Sequence, residues 1–535
     1  MTKVLPLDSL TFPLKGRQLI EASAGTGKTY TITALYLRLL LGLGDINEKP
    51  LGPDQILVVT FTEAATEELR DRIRTRIVEA RHAFLSEQVT DDFLLALKSQ
   101  CKDLKAAVQL LEQAIRQMDE AAIFTIHGFC QRMLKRHAFE SGSLFETELT
   151  QDEESLIRSA VLDFWRTTVY PLSSELSRIV LSESWKGPDA LLRELRNLLG
   201  YSGLQLQPDL SDSDLQKSFI QRQEQVTTFK AAWQAGAGEL IDVIAQSGVN
   251  KSSYKKNLVP NWVEKINAYA DSALLEPDKK LREILQRFSQ SVLHEKTTKG
   301  EPPEHPLFCD VETFVSSSFP VKEILLAQAM QQVKQRLAES KRQQQVQTFD
   351  DLLSNLYQAL DNDAEGQLSK AIRTQFPVAL IDEFQDTDPL QYGIFSRLYA
   401  DQHRSALIMI GDPKQAIYAF RGADIFTYIQ ARRSVEQSYT LKTNWRSTNG
   451  MVEAVNTLFD HAESPFIYDQ DIPFMPVDAS GRKGDGLTIE KDVLPALTIW
   501  AGDDEELLSK SDYQQRYAQA TAAQIDRLLS GEALL

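Results

Sequence analysis

Cysteine is scarce in this chain, which has three (Cys101, Cys130 and Cys309) among 535 residues. No two of them form a C-x-x-C pair, and this argues against a disulfide framework, a zinc ribbon and an iron–sulfur cluster. The sequence also lacks any apolar run near the roughly 20 residues that cross a bilayer. Its first residues, MTKVLPLDSLTF, have no long apolar stretch of the signal-peptide kind. We therefore expect a cytoplasmic protein without a membrane segment.

Positive charge is also in deficit. The 58 Lys and Arg residues face 75 Asp and Glu residues, for a net charge of −17. A protein that held nucleic acid by bulk positive charge would have the opposite balance. Any nucleic acid must then be held in a local groove, by stacking and hydrogen bonds.

The length of the chain predicts about two to four domains.

A glycine-rich segment near the N-terminus, EASAGTGKT, has the pattern of a phosphate-binding loop. The residues before it, 17–21, predict a buried strand, and 30–40 predict a helix with a leucine-rich face. Backbone N–H groups of the loop and the helix N-terminus would hold the phosphates of a nucleotide. Lys28 would reach the β and γ phosphates, and the Thr29 hydroxyl would bind Mg²⁺. The predicted nucleotide-binding residues of the loop are Ala22, Ser23, Ala24, Gly25, Thr26, Gly27, Lys28 and Thr29.

Paired carboxylates far downstream supply the acidic partner that such a loop needs. Residues 377–381 read as a buried strand, and Asp382 and Glu383 follow it directly. Asp382 suits a contact to Mg²⁺, and Glu383 suits polarising the water that attacks the γ-phosphate. The pair therefore predicts nucleotide hydrolysis, and not binding alone.

Aromatic and hydroxyl side chains recur just past the ends of three further predicted strands. The strands are 56–60, 123–125 and 406–411, and the segments after them are rich in Thr, His, Phe and Tyr. Each aromatic alone is more commonly part of a core, but ligands gather at the carboxyl ends of parallel strands. Such side chains can stack on bases and hydrogen-bond phosphates without net charge.

The segment 439–447 contains an aromatic residue beside an arginine. Trp445 could stack on adenine, and Arg446 beside it could reach the γ-phosphate.

Six motifs occur in order along the chain: ASAGTGKT, VVTFTEAATEELR, FTIHGFC, LIDEFQDTD, IGDPKQAIYAFRGAD and LKTNWRS. Together they resemble the superfamily 1 helicases of the UvrD/Rep type. Within that group the motif sequences are most similar to those of the RecB family of bacterial exonuclease V (RecBCD) subunits. The AddA-type helicase–nucleases are close relatives. The resemblance implies an α/β fold with a RecA-like P-loop lobe built on a parallel sheet.

The resemblance also implies roles for individual residues. Lys28, Thr29, Asp382, Glu383, Trp445 and Arg446 keep the roles given above, with ATP and Mg²⁺ as cofactors. Gln415 matches the glutamine that senses the γ-phosphate and couples it to DNA. The residues matching the family's single-stranded DNA contacts are Thr60, Phe61, Thr125, His127, Tyr418 and Phe420. One departure is visible, because only Gln18 lies near the position of the family's adenine-reading glutamine, and it is too close to the strand.

The implied partners are DNA, single-stranded and at duplex ends, and RecC-like and RecD-like subunits. The implied activity is ATP-dependent DNA unwinding in recombination and double-strand-break repair.

The predicted domains are a first RecA-like lobe in two parts, a helical insertion and the beginning of a second lobe. Their bounds are 1–140 and 343–437 for the first lobe, 141–342 for the insertion and 438–535 for the second lobe. Two basic clusters in the insertion, 251–256 and 296–299, could touch duplex DNA, although a solvated loop is the commoner meaning of such a run.

The family's later motifs and a nuclease carboxylate cluster are absent from this sequence. We therefore expect the N-terminal part of a longer protein, with weak nucleotide binding and no unwinding by residues 1–535 alone. Two functions remain open at this point: a DNA-stimulated ATPase motor, and a nucleotide-gated single-stranded-DNA-binding module without motor activity.

Overall fold

The structure, a computed structural model, describes residues 3–44, 49–141, 148–150, 152–200, 204, 206–317, 319–401, 404–417, 424–481, 487–489, 492–501, 508–530 and 533–534. The chain divides into two compact units, of which the first contains 1–149 and 347–535 and the second contains 150–346.

The first unit is built from two segments of the chain. Its N-terminal segment contains β1 (Lys3–Pro6), β2 (Gly16–Ala22), α1 (Lys28–Leu40), β3 (Ile56–Thr60), α2 (Glu63–Leu85), α3 (Asp92–Gln100), α4 (Leu104–Gln117), β4 (Ile123–Thr125), α5 (Ile126–Arg136), α6 (Ala138–Ser141) and β5 (Glu148–Leu149). The second unit contains α7 (Glu153–Phe164), α8 (Ser174–Ile179), α9 (Pro188–Leu199), α10 (Leu215–Gln246), α11 (Leu258–Ala270), α12 (Lys279–Gln286), α13 (Gln290–Glu295), α14 (Pro306–Ser316) and α15 (Val321–Gln344). After β6 (Val346–Gln347), the first unit resumes with α16 (Phe349–Asp361), α17 (Gln367–Gln375), β7 (Val378–Ile381), α18 (Pro389–Leu398), β8 (Ala406–Gly411), α19 (Ile425–Ser434), β9 (Gln437–Leu441), β10 (Thr443–Asn444), α20 (Asn449–Asp460), β11 (Asp478–Ala479), β12 (Thr488–Ile489), β13 (Asp492–Val493), α21 (Lys510–Ser530) and β14 (Ala533–Leu534).

A seven-stranded sheet in the order β1-β9-β2-β8-β7-β3-β4 forms the centre of the first unit. All of its described pairings are parallel. Parallel strands need crossover connections, and helices supply them here. The carboxyl ends of β2, β8, β7, β3 and β4 therefore lie along one edge of the sheet, where ligands gather in open α/β folds. This arrangement confirms the predicted α/β class with a parallel sheet.

Helices cover both faces of this sheet because its strands are apolar on both sides. In β3, Ile56 and Val58 face one core together with α1, α2 and α4. Leu57 and Val59 face the other core, with α5, α16, α17 and α18. The alternation has the period of two that a strand imposes.

One predicted domain boundary needs correction. The sequence predicts a second lobe from residue 438 onward, but β9 lies inside the seven-stranded sheet. Ser438 pairs with Val4 on β1 and with Leu19 on β2. A strand between two partners satisfies its backbone groups on both sides, so residues 438–441 belong to the first-lobe sheet. Beyond it, β10 pairs with β11, and β12 pairs with β13 and β14.

The second unit is helical and has its own core. Aromatic residues are part of that core; Phe229 and Phe314 stack with ring centroids 4.1 Å apart. The buried Arg222 guanidinium is paired with Glu276 at 2.6 Å. The predicted helical insertion was 141–342, and this unit spans 150–346.

One lysine of the basic cluster 251–256 has a structural role. Lys251 Nζ donates to the carbonyls of Ile244, Ala245 and Ser247 at the end of α10. A cation at this place satisfies carbonyls that have no helical partner and complements the helix dipole. Lys251 is therefore a helix cap.

No helix in the described part of the chain is long and apolar enough to cross a membrane.

Candidate active site

The glycine-rich loop joins β2 to α1, as the sequence predicts. Gly25 and Gly27 have φ values of +77° and +99°, in the left-handed region that favours glycine. The loop is tightened by the Thr26 hydroxyl, which donates to the Ser23 carbonyl at 2.7 Å. The helix α1 begins at Lys28 directly after Gly27, with no side chain capping its N-terminus. Its first N–H groups are therefore available to an anion.

Lys28 points to the predicted carboxylate pair. Its Nζ lies 2.5 Å from Glu383 Oε2. Glu383 follows β7 with a φ of +48°, which is unusual for a residue with a side chain. The preceding residue, Asp382, continues the sheet pairing, because its N–H donates to the Val59 carbonyl at 2.9 Å. The loop after β2 and the acids after β7 thus meet at one edge of the sheet.

Burial shifts the titration of the acids at this edge. Burial raises the pKa of Asp382 to about 6, and the neighbouring Glu383 charge adds to the rise, while Lys28 opposes it. Burial and the Glu383 charge likewise raise the pKa of Asp386 to about 6. Asp386 Oδ1 is buried without a hydrogen-bond partner. The site is therefore rich in carboxylate oxygens whose ionised form a cation would stabilise.

Gln385 is a site residue that the sequence reasoning missed. Its side chain is 2% exposed. Its Nε2 donates to Glu383 Oε2 at 2.9 Å, and its Oε1 accepts from the Asp412 N–H at 2.9 Å. A Cβ on Gly411 would lie 2.4 Å from Gln385 Oε1, so this contact needs the glycine. The feature of the sequence that could have identified Gln385 is its position in the DEFQD motif, between Glu383 and Asp386.

Gln415 lies in a short 3-10 turn after β8. Its Nε2 donates to Asp412 Oδ2 at 2.8 Å, and Lys414 pairs with Asp412 Oδ1 at 2.8 Å. Through Asp412 and Gln385, hydrogen bonds connect this turn to Glu383. The structure thus joins Gln415 to the candidate site, but through intermediate residues.

The segment at 444–446 packs directly on the glycine-rich loop. Asn444 Nδ2 donates to the Ala24 carbonyl at 2.9 Å, and the Trp445 N–H donates to the Gly25 carbonyl at 2.8 Å. Asn444 Oδ1 accepts from the N–H groups of Arg446 and Ser447. Trp445 is 46% exposed, which leaves its ring accessible to a flat ligand. Asn444, which the sequence reasoning also missed, is the link that places Trp445 and Arg446 beside the loop.

A buried ion pair lies under the loop. Arg432 on α19 donates from Nε to Glu21 Oε1 at 2.8 Å, and both side chains are at most 7% exposed. Glu21 immediately precedes the loop on β2. The pair ties the base of the loop to α19.

The predicted DNA-contacting residues differ in accessibility. Thr60 is 2% exposed, and its hydroxyl bonds the Thr66 hydroxyl at 2.6 Å. Thr125 caps α5 by accepting from the Gly128 N–H, and donates to Glu63 Oε1. Both hydroxyls therefore have local partners. Phe61 is half-buried against the core of α5 and α16.

His127 is half-buried, and its ring meets the Phe349 ring edge-on at 5.6 Å. Burial lowers the pKa of His127, against the opposing charge of Asp350. Tyr418 and Phe420 lie outside the described residues. Gln18, which lies too close to the strand to match the family's adenine-reading glutamine, donates from Nε2 to the Lys15 carbonyl.

The residues present fit a divalent cation held together with phosphate. In the described part of the chain, no group of three or more His, Cys, Asp or Glu side chains could hold a metal alone. A hydroxyl at Thr29 and a buried carboxylate at Asp382 are the hard oxygen ligands that Mg²⁺ prefers, and Mg²⁺ commonly takes one or two protein ligands plus phosphate oxygens.

Comparison with known proteins gives a family match over most of the chain. The family model described as the UvrD/REP helicase N-terminal domain matches residues 7–436. The chain is 46% identical over 538 residues to the RecBCD enzyme subunit RecB of Escherichia coli, covering 99% of this chain and 45% of that relative. It is 39% identical over 523 residues to the same subunit of Haemophilus influenzae, covering 90% and 42%. The Mycobacterium tuberculosis subunit is 26% identical over 445 residues, covering 83% and 29%. The chain spans less than half the length of these relatives.

Proposed function

The chain belongs to the UvrD/REP helicase family, and we propose that it is the ATP-binding part of a RecB-like DNA helicase subunit. The observation that carries the proposal is the convergence of three distant segments on one loop. Lys28, Glu383 and Asn444 bring the glycine-rich loop, the paired acids and the 444–446 segment together. Such a site can hold a nucleoside triphosphate and polarise water beside its terminal phosphate.

We propose specific roles within this site. The loop 22–29 binds the phosphates of ATP, and Lys28 contacts the β and γ phosphates. Thr29 and Asp382 hold Mg²⁺, which when bound neutralises charge on the phosphates. Glu383 orients and polarises the attacking water as its Lys28 partner turns to phosphate. Trp445 stacks on the adenine and Arg446 contacts the γ-phosphate.

Coupling to DNA is proposed to run through Gln415 and the segments after the strands. Gln415 bonds Asp412, which bonds Gln385, which bonds Glu383. A change at the γ-phosphate can therefore reach the turn that leads into 418–423. The proposed contacts with single-stranded DNA are Phe61 and His127 among the described residues, and Tyr418 and Phe420 outside them. Since the Thr60 and Thr125 hydroxyls have local partners, we assign these two a supporting role for the loops that follow them.

The substrate and partners follow from the family and from the relatives named RecB. We propose that the complete protein unwinds DNA from duplex ends with RecC-like and RecD-like subunits, in recombination and double-strand-break repair.

The test measures whether nucleotide and DNA binding are coupled. By linkage, a motor part must bind single-stranded DNA with a different affinity when an ATP analogue is bound. We expect a labelled thymidine oligonucleotide to change affinity several-fold, about 5-fold or more, on addition of Mg²⁺ and a non-hydrolysable ATP analogue. Lys28→Ala serves as the control and should show no change. Binding of both ligands with no mutual effect would contradict the proposal.

A further inference from the structure

A groove runs along the open edge of the sheet, between α2 and α5. Its cavity volume is about 670 Å³, and β4 forms its floor with Ile123, Phe124 and Thr125. We call it the β4 groove. Among the strands that the structure describes, β4 pairs with β3 alone and is the last strand in the order of the sheet.

Cations outnumber acids in the β4 groove. Its charged lining consists of Arg70, Arg132, Lys135 and Arg136 against Glu63 and Glu67. Arg132, Lys135 and Arg136 are all exposed and lie on successive turns of α5. In a chain with 75 acidic and 58 basic residues, a local excess of this kind runs against the overall balance. A ligand with regularly spaced negative charges would match it.

The groove also contains an arginine–aromatic contact suited to stacking, and an arginine bonded to the edge of β4. The Arg132 guanidinium lies 4.5 Å from the centroid of the Phe124 ring. Arginine planes and aromatic rings are the surfaces on which unpaired bases stack. Arg70 Nη2 donates to the Ile123 carbonyl at 3.1 Å, and so occupies part of the strand edge. This contact disfavours the addition of another β-strand and leaves the side chains as the binding groups.

The groove begins beside a proposed DNA contact. Thr125, at the end of β4, lines the groove, and His127, a proposed contact, lies two residues further on. α2 and α5 both begin at the carboxyl edge of the sheet and run back along β4, so the groove leads away from that edge.

We propose that the β4 groove binds the phosphodiester backbone of single-stranded DNA and extends the DNA path beyond the contacts at the strand ends. The inference rests on the proposed function, because it requires the chain to bind DNA at those strand ends. Arg132, Lys135 and Arg136 neutralise phosphates, and Phe124 with Arg132 supports a base.

The experiment compares two oligonucleotides and two pairs of substitutions in the whole chain. Labelled thymidine oligonucleotides of about 16 and about 4 nucleotides are titrated at several salt concentrations. The groove variant is Arg132→Gln with Lys135→Gln. The matched control is Lys102→Gln with Lys370→Gln, two exposed cations that do not line the groove. Lys135→Gln with Arg136→Gln repeats the test without disturbing the contact between Arg132 and Phe124.

We expect the groove variant to bind the longer oligonucleotide more weakly, with a salt slope smaller by about 1.4, because each lost phosphate contact on a single strand removes ~0.7. The shorter oligonucleotide and the control variant should keep the slope of the unaltered chain. An unchanged slope for both groove variants would overturn the proposal while leaving DNA binding at the strand ends intact. If the unaltered chain binds neither oligonucleotide, the proposed function fails as well. If the groove variants lose binding of labelled poly-glutamate and keep their DNA binding, the groove is assigned to an acidic protein segment instead.

Discussion

Asn444 Nδ2 donates a hydrogen bond to the carbonyl of Ala24, a residue 420 positions earlier in the chain. The same side chain accepts the N–H groups of Arg446 and Ser447. One amide group therefore sets both the shape of the glycine-rich loop and the position of Trp445 and Arg446 beside it.

Replacing Asn444 tests this link. Asn444→Ala leaves three backbone groups without their partner, so we expect a loss of about 1–3 kcal/mol in the free energy of unfolding. Nucleotide affinity should fall as well, by about tenfold, the equivalent of ~1.4 kcal/mol. Urea denaturation and calorimetric titration with ATP measure the two effects. Asn456→Ala is the matched control, since Asn456 also bonds backbone groups, those of Val477. It should lose stability but keep its nucleotide affinity; equal losses of affinity in both variants would remove Asn444 from the site.

Gly25→Ala tests the close approach of the 444–446 segment. A Cβ at Gly25 would lie 2.8 Å from Arg446 Cβ and 2.8 Å from Asn444 Oδ1. Gly481→Ala is the control, because Gly481 also has a positive φ but has nothing within 4 Å of the added carbon. Both variants should lose roughly 1–2 kcal/mol from the left-handed backbone. Only Gly25→Ala should also abolish ATP binding; a bound nucleotide in that variant would show that the approach of the two segments is dispensable.

Glu383→Gln separates binding from hydrolysis. The amide keeps the shape of the side chain but cannot polarise water as a base. In a longer protein of this family that turns over ATP, we expect the equivalent change to lower turnover by roughly 10²–10⁴ and to preserve ATP binding. Steady-state phosphate release and a binding titration distinguish the two. Unchanged turnover would show that another group is the base.

The ion pair between Glu21 and Arg432 should behave as a buried unit. Arg432→Met leaves the Glu21 carboxylate buried without its cation, so we expect a loss of about 3–5 kcal/mol. Combining it with Glu21→Met removes the orphaned charge and should restore much of that loss. Urea unfolding of the single and double variants gives the comparison. A double variant no more stable than Arg432→Met would contradict the pairing.

Asp386 predicts a pH dependence of stability. Its pKa is raised to about 6 by burial and by Glu383. For an acid with a raised pKa the folded state holds the proton more tightly, so stability falls as the pH rises from about 4 through 6. Asp386→Asn removes this titration and should gain roughly 1–2 kcal/mol over the unaltered chain at pH ~7.5, with a smaller gain at pH ~5. Thermal unfolding at the two values is the measurement, and a gain independent of pH would contradict the shift.

The local part of the site was predictable from the sequence. The strand, loop and helix around Lys28 are encoded within about twenty-five residues, and the predicted strand at 17–21 and helix at 30–40 correspond to β2 and α1. The apolar run before Asp382 likewise identifies β7. The roles assigned to these residues stay predictions.

The parts that depend on distant contacts were not predictable. Nothing in the neighbourhood of Asn444 or Arg432 indicates that they bond residues 420 and 411 positions away. The misplaced boundary at 438 has a related cause, because an apolar strand such as β9 does not reveal which sheet it joins. The capping role of Lys251 also depends on where α10 ends in space.

In the proposed function, Lys28 binds the phosphates of ATP at a site that it shares with Glu383. The direct measurement is a calorimetric titration of the chain with ATP and Mg²⁺, comparing the unaltered protein, Lys28→Ala and Lys370→Ala. Lys370 is an exposed lysine on α17 and serves as the control. We predict that Lys28→Ala weakens ATP binding by about 100-fold or more, ~2.7 kcal/mol, while Lys370→Ala binds as the unaltered chain does. Equal ATP affinity in all three proteins would contradict phosphate binding by Lys28.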